Sequence, residues 1–279
     1  MIESEAKRLI SAREAESYVP PLKMFAGCYK LRAKLLGWLN RPPEHDANLL
    51  IEGEPGTGKT SIIIAYLREQ FKNPWFYREE FDPDRGARKA RGEQVGDIES
   101  EREWPTRPRR ELFFQQIDGA TDTEVSMRRK IDNVRYAIAD HRIALADELG
   151  EAFFRGYDEM YRPLLTEGGI TVYATAQNFH SKRKSDSSIE EDQRLAALIR
   201  RFSHRERTEN PTDADHLRFL AFLIGEWSLK IDAPSTLRML MQKAEGIVGY
   251  SKRILIKAID EPDRRLTRKL VEESDVNPV

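Results

Sequence analysis

Residues Gly53-Glu54-Pro55-Gly56-Thr57-Gly58-Lys59-Thr60 match the pattern G-x-x-x-x-G-K-[ST] at every fixed position, and Ser61 follows directly. The apolar run Asn48–Glu52 leads into this loop and the helical run Ser61–Leu67 leaves it. That setting is what phosphate binding requires. Glycines let successive backbone N–H groups turn inward on phosphate oxygens, and the following helix adds the positive end of its dipole. In such a loop Lys59 reaches the β- and γ-phosphates and the Thr60 hydroxyl ligates Mg²⁺, so ATP and Mg²⁺ are the expected cofactors. A glycine-rich turn without a ligand is the bland alternative.

A second constellation lies about ninety residues on. Arg142-Ile143-Ala144-Leu145-Ala146 reads as an apolar strand that ends in Asp147-Glu148. Asp147 is expected to hold Mg²⁺ through water and Glu148 to act as general base on the attacking water. Alternatively, these acids complement the dipole at a helix start, since Glu151 follows closely. The next strand, Ile170–Thr175, ends in Ala176-Gln177-Asn178, where either amide can hydrogen-bond a γ-phosphate or the nucleophilic water; a simple turn is the other reading. Further on, Leu195, Leu198 and Ile199 space a packed helix from Asp192 that projects Arg200 and Arg201 at its end. A guanidinium there can stabilise phosphoryl charge on a neighbouring subunit, or the pair is simply solvated at a helix C-terminus. Gly246–Leu255 starts another helix, whose Lys252 and Arg253 face the nucleotide if that region folds over the loop as a lid.

These groups need a scaffold, and 279 residues supply ample core for one sizeable domain with an appendage. Short apolar runs at Asn48–Glu52, Trp75–Glu79, Arg142–Ala146 and Ile170–Thr175 alternate with helical stretches. That alternation predicts a three-layer α/β core with a parallel sheet. A charged helix is read over residues 1–17, a break at Tyr18-Val19-Pro20-Pro21, and a second helix over Lys23–Leu39 ahead of Pro42-Pro43. Residues 78–110 mix acids, bases, glycine and proline with few apolar side chains, so they read as a surface insertion, and 180–192 as a polar connector. From Asp213 to Asp260 the apolar spacing becomes helical throughout, as in a small helical subdomain. The expected organisation is N-terminal helices over 1–40, a nucleotide-binding core over 41–211, and a helical lid with C-terminal tail over 212–279.

Composition narrows the class further. The chain holds 46 Lys+Arg against 47 Asp+Glu, for a net charge of −1. That balance excludes a globally polycationic nucleic-acid coat or a polyacidic tail, though not local basic patches. The longest apolar run, Leu217–Ile224, is interrupted by Arg218, and the N-terminal residues lack the apolar core of a secretory signal. One cysteine, Cys28, excludes an intrachain disulfide framework or a Cys-rich metal knuckle. A cytoplasmic protein with no membrane partner is expected.

The order of these parts resembles the AAA+ ATPases: a Walker A loop, a Walker B strand ending in Asp147-Glu148, a sensor-1 strand, an arginine-finger helix and a helical lid. Gly249-Tyr250-Ser251-Lys252-Arg253 is similar to the Gly-x-x-Arg start of the sensor-2 helix, with lysine at the usual arginine position. Within that class, residues 18 to 260 resemble the TniB/TnsC transposition ATPases, relatives of the origin-recognition initiators. The likeness includes Tyr18–Pro21, Asn48–Gly53, Asp192-Gln193 through Arg201-Phe202, and Ala244–Gly249. It also includes Glu111–Ile117, similar to the family's helix after its second strand. Ala144 and Ala146 thin the usual bulky Walker B strand, and the 78–110 insertion is longer and more charged than the family's.

The resemblance implies ATP-dependent assembly of a homo-oligomeric ring or filament on double-stranded DNA that recruits or licenses a transposase, with hydrolysis driving disassembly. Candidate phosphate contacts are Arg107, Arg109 and Arg110; Arg128, Arg129 and Lys130; and Lys182, Arg183 and Lys184. Two other readings stand beside it: an AAA+ protein that remodels a protein partner without DNA, and a small-molecule P-loop kinase with Arg200 and Arg201 as a lid clamp. The Asp-Glu strand and the helical C-terminal region weigh against the kinase.

Overall fold

Apolar strands that alternate with helical segments bury both of their faces only when they lie side by side in a parallel sheet with helices around it. A computed structural model describes residues 9–41, 47–71, 112–137, 139, 141–177 and 189–275. Among them the strands are β1 (Leu49–Glu52), β2 (Leu112–Asp118), β3 (His141–Asp147), β4 (Ile170–Ala176), β5 (His204–Arg207), β6 (Lys230–Ile231) and β7 (Arg265–Leu266). The helices are α1 (Ala12–Glu16), α2 (Tyr29–Asn40), α3 (Lys59–Phe71), α4 (Glu124–Tyr136), α5 (Leu149–Phe154), α6 (Arg162–Thr166), α7 (Ile189–Ile199), α8 (Asp213–Trp227), α9 (Pro234–Lys243), α10 (Val248–Asp260) and α11 (Arg268–Glu273). No helix among the described residues is long and apolar enough to cross a membrane.

The chain divides into two compact units. One comprises Pro42–Glu52 and Gln70–Arg205 and carries most of a five-stranded sheet in the order β2-β3-β4-β1-β5. Pairings β2·β3, β3·β4 and β4·β1 are parallel, with Phe114 opposite Ile143, Ala144 opposite Val172, and Leu50 opposite Ala174. Ala144, Leu145, Ala146, Val172 and Ala174 are buried on both faces of the central strands. The strands read from sequence at Asn48–Glu52, Arg142–Ala146 and Ile170–Thr175 match β1, β3 and β4 to within one residue at each end. Thr123 caps α4 by accepting the Ser126 N–H, and Met127, Ile131 and Val134, one turn apart, bury that helix in the core with Ile117, Phe153, Tyr161, Leu164, Leu195 and Leu198.

Residues 9–41, 53–69 and 206–275 form the second unit. Its core joins Phe219, Leu220, Leu223 and Trp227 of α8 to Leu240 of α9, to Ile254, Leu255, Ala258 and Ile259 of α10, and to Val271 of α11. Helical spacing is read correctly here, and the structure adds a short parallel pair, β6 with β7, between the helices.

Three local readings change. The charged N-terminal helix, within the described residues, is confined to Ala12–Glu16, because Ser11 and Glu14 form a reciprocal capping box that fixes its start. The helix read over Lys23–Leu39 is a 3₁₀ turn at Leu22–Met24 followed by α2. Gly27 (φ 67°) and Cys28 (φ 50°) take left-handed backbone between the two, which stops one helix and starts the next. The third concerns Glu111–Ile117, where the resemblance places a helix. Residues 112–118 are β2, whose backbone is satisfied by a seven-residue parallel register with β3. The Trp75–Glu79 strand and the 78–110 insertion lie outside the described residues.

Candidate functional site

The candidate residues fall into two groups, one in each unit. In the second unit, the loop after β1 turns through Gly56 (φ 76°) and Gly58 (φ 84°), conformations that only glycine adopts without strain. Lys59 opens α3 and is buried, 5% exposed, and its ammonium donates to the Gly53 and Glu54 carbonyls at 3.0 and 3.1 Å. The Thr57 hydroxyl donates to the same Glu54 carbonyl at 2.7 Å. A lysine held inside its own glycine turn at a helix N-terminus is a cradle that phosphate oxygens fit. Thr60 and Ser61 stand half-buried in the first turn of α3. Glu54 and Gly56 are exposed, and Pro55 is half-buried.

Contacts around this loop come from the start of α10 and from the residues just before α2. The Gly249 N–H donates to the Gly56 carbonyl at 2.9 Å. A Cβ on Gly249 would lie 2.6 Å from that carbonyl oxygen and 2.9 Å from the Gly56 Cα, so a side chain there displaces the loop backbone. On Gly56 a Cβ would stand 2.9 Å from Ile247 and 3.4 Å from the Tyr250 ring. The start of α10 is thus seated on the glycine loop. We expect Gly249→Val to cost about 1–3 kcal/mol, a fall of several degrees in melting temperature on thermal unfolding, and to weaken nucleotide binding in parallel. Gly225→Ala, where added carbon meets nothing within 4 Å, is the control that stays near wild type; equal behaviour of the two variants would show that the seat carries no strain. From the N-terminal side, the Cys28 thiol lies 3.8 Å from the Thr57 carbonyl, and burial pushes its pKa up to about 11, so it packs as a thiol. The Phe25 ring lies 3.5 Å from where a Gly58 Cβ would stand.

Lys252 and Arg253 take different surroundings. The Lys252 ammonium donates to the Glu16 and Tyr18 carbonyls, each at 2.9 Å, and burial lowers its pKa to about 8. Arg253 is exposed, with its guanidinium 5.8 Å from the Tyr250 ring centroid.

In the sheet unit, Asp147 and Glu148 stand at the C-terminal end of β3, on the sheet edge where its parallel neighbour β4 also ends. Gln116 of β2 donates to Asp147 Oδ2 at 3.0 Å, and the Thr175 hydroxyl of β4 donates to Oδ1 at 2.5 Å. The same Thr175 oxygen accepts the Glu148 N–H at 3.1 Å. Glu148 takes left-handed backbone, φ 49°, as the residue before α5. Both residues are half-buried, with Glu148 Oε2 itself shielded from solvent, and the chemistry of this donor set suits Mg²⁺ held through water. The Tyr161 hydroxyl is buried without a hydrogen-bond partner among the described residues, and desolvation by burial, with Asp122, Asp118 and Asp147 nearby, pushes its pKa up.

Of the remaining expected residues, Gln177 is half-buried just past β4, and Asn178 lies outside the described residues. Arg200 is exposed and Arg201 half-buried in the turn that closes α7. On α4, Arg128 pairs with Glu124 at 3.0 Å and Lys130 with Asp122 at 2.7 Å, while Arg129 is exposed. Arg107, Arg109, Arg110, Lys182, Arg183 and Lys184 fall outside the described residues.

The parallel sheet in the order β2-β3-β4-β1-β5, with helices around it, has the AAA+ P-loop fold. Solved structures of RuvB from Thermotoga maritima share it. One of them, a single-substitution variant, aligns with 91% of this chain and 70% of that one at TM-score 0.53 and 12% identity. The structure titled as the Holliday junction branch migration motor aligns with 91% of this chain and 71% of that one at TM-score 0.54 and 12% identity. No family model and no curated protein sequence matches the chain.

Proposed function

We propose that the protein is a Mg²⁺-dependent ATPase that assembles on double-stranded DNA and recruits or licenses a transposase-like partner, with hydrolysis driving disassembly. The observation that carries the ATPase reading is the presence of two features in one chain. One is a buried Lys59 inside a left-handed glycine loop at the end of β1, and the other is a hydrogen-bonded Asp147 beside Glu148 at the end of β3. In this reading Lys59 and the loop N–H groups bind the phosphates, Thr60 and Asp147 hold the metal, and Glu148 accepts the proton of the attacking water. Bound Mg²⁺ would offset phosphate charge. Gln177 or Asn178 would orient the γ-phosphate or the water, and Arg200 or Arg201 would serve a neighbouring subunit's nucleotide.

DNA assembly and the transposition role are drawn from the sequence resemblance, and for the DNA part alone a structural neighbour titled as a Holliday junction branch migration motor adds support. One observation favours the other reading, an ATPase that acts on a protein partner without DNA: in the α4 cluster, Arg128 and Lys130 are already paired with acids. Binding of random-sequence duplex DNA, followed by fluorescence anisotropy across a salt series, separates the two. The DNA reading predicts binding with a non-hydrolysable ATP analogue, loss with ADP, and a steep decline with salt. Absence of analogue-dependent binding at low salt would leave the protein-partner reading.

A further inference from the structure

Asp147 and Glu148 are neighbours in sequence, yet their roles in the proposed ATPase need their side chains held apart, one toward metal and one toward water. The backbone turns left-handed at Glu148, and a non-glycine residue in that region is held only where its surroundings over-determine it. Two neighbouring strands supply the restraint. From the β2 side, the Gly119 N–H donates to the Asp147 carbonyl at 2.8 Å, and a Cβ on Gly119 would stand 2.3 Å from the Glu148 carbonyl oxygen, so the backbones are pressed together. From the β4 side, Thr175 is fully buried, and its one hydroxyl does two things: it donates to the Asp147 carboxylate and accepts the Glu148 N–H. A hydroxyl has one proton and two lone pairs, so both bonds form at once. The side chain of one residue and the backbone of the next are thereby tied to a single atom of β4.

We propose that Thr175 is the positioning residue of the carboxylate pair. Its hydroxyl sets the direction of the Asp147 carboxylate toward the metal and holds the turn that aims Glu148, without itself touching substrate. This role rests on the ATPase reading above. Outer partners that orient a metal-binding carboxylate typically matter by about 10–100-fold in metal affinity or activity. Thr175→Val keeps the shape and removes the hydroxyl; Thr175→Ser keeps the hydroxyl and removes a methyl group.

Three readouts on the intact chain test the role. Fluorescent nucleotide binding is titrated with Mg²⁺, phosphate release is followed under the same conditions, and amide hydrogen exchange at Glu148 is measured in nucleotide-free, metal-free protein. Thr175→Val should raise the Mg²⁺ midpoint and lower turnover, each by about 10–100-fold, leave nucleotide affinity in chelator unchanged, and speed exchange at Glu148. Thr175→Ser should restore all of them toward wild type. A Val variant with wild-type Mg²⁺ midpoint, turnover and exchange overturns the proposal while leaving the ATPase reading intact. A Ser variant as impaired as Val overturns it as well, because packing of the methyl group would then be responsible. Wild-type protein that shows no Mg²⁺-dependent turnover overturns the ATPase reading, and the positioning role with it.

Discussion

Glu148→Gln is expected to keep ATP bound while steady-state turnover falls about 10²–10⁴-fold, the usual contribution of a positioned general base. Glutamine preserves the size and the left-handed backbone at this position but cannot accept a proton from water. Thr175 still accepts the N–H of residue 148 and still donates to Asp147, so the metal side of the site is left in place. The measurement is phosphate release at saturating Mg-ATP alongside equilibrium binding of a fluorescent analogue. Wild-type turnover in the variant would remove Glu148 from the chemistry. The same variant reports on Arg200 and Arg201. Mixed with Arg200→Ala or Arg201→Ala subunits, it should give an assembly that regains activity if the arginine acts on a neighbour's nucleotide, and activity set by each subunit alone if it does not.

Lys59→Ala is the second large effect. Hydrogen bonds to a charged group contribute about 1.5–3 kcal/mol, and Lys59 brings a full charge to the phosphates, so nucleotide affinity should fall by about 10–100-fold. The lysine is buried, and its ammonium satisfies the Gly53 and Glu54 carbonyls, so the variant also needs a thermal unfolding curve to show that it remains folded. A folded Lys59→Ala protein that binds ATP as wild type does would reject the loop as the phosphate site.

What the sequence reveals depends on how far apart the interacting residues lie. The glycine loop is legible because its chemistry is carried by contiguous residues, Gly53 to Thr60, whose types leave few other uses. Strands β1, β3 and β4 are legible because each is a short, mainly apolar run that leads into polar or glycine residues. The family resemblance places a helix at β2, and Leu112-Phe113-Phe114-Gln115-Gln116-Ile117 is too short to display one period over the other, so only its pairing with β3 decides. The break at Gly27 and Cys28 is hidden for a different reason: the helical spacing of Leu31 and Leu35 extends back through it without interruption, and the signal against a helix is one glycine.

The residues that hold the site together are less legible still. Gln116 and Thr175 reach Asp147 across sequence separations of 31 and 28 residues. In the sequence each is an ordinary polar residue near a strand end. Gly249 is recognisable as a helix-start glycine, but its backbone bond to Gly56 is a consequence of tertiary packing. Sequence therefore names the groups that would touch nucleotide and metal, whereas the side chains that aim them emerge only from strand order and register.

Every role proposed above requires that this chain hydrolyse ATP with Mg²⁺. Phosphate release by the purified protein, with Mg-ATP, with ATP plus chelator, and in the Lys59→Ala variant, tests that requirement most directly. Release with Mg²⁺ that vanishes both on chelation and in the variant is the expected result. Release that persists under either condition, or none from wild-type protein shown to bind ATP, would contradict it.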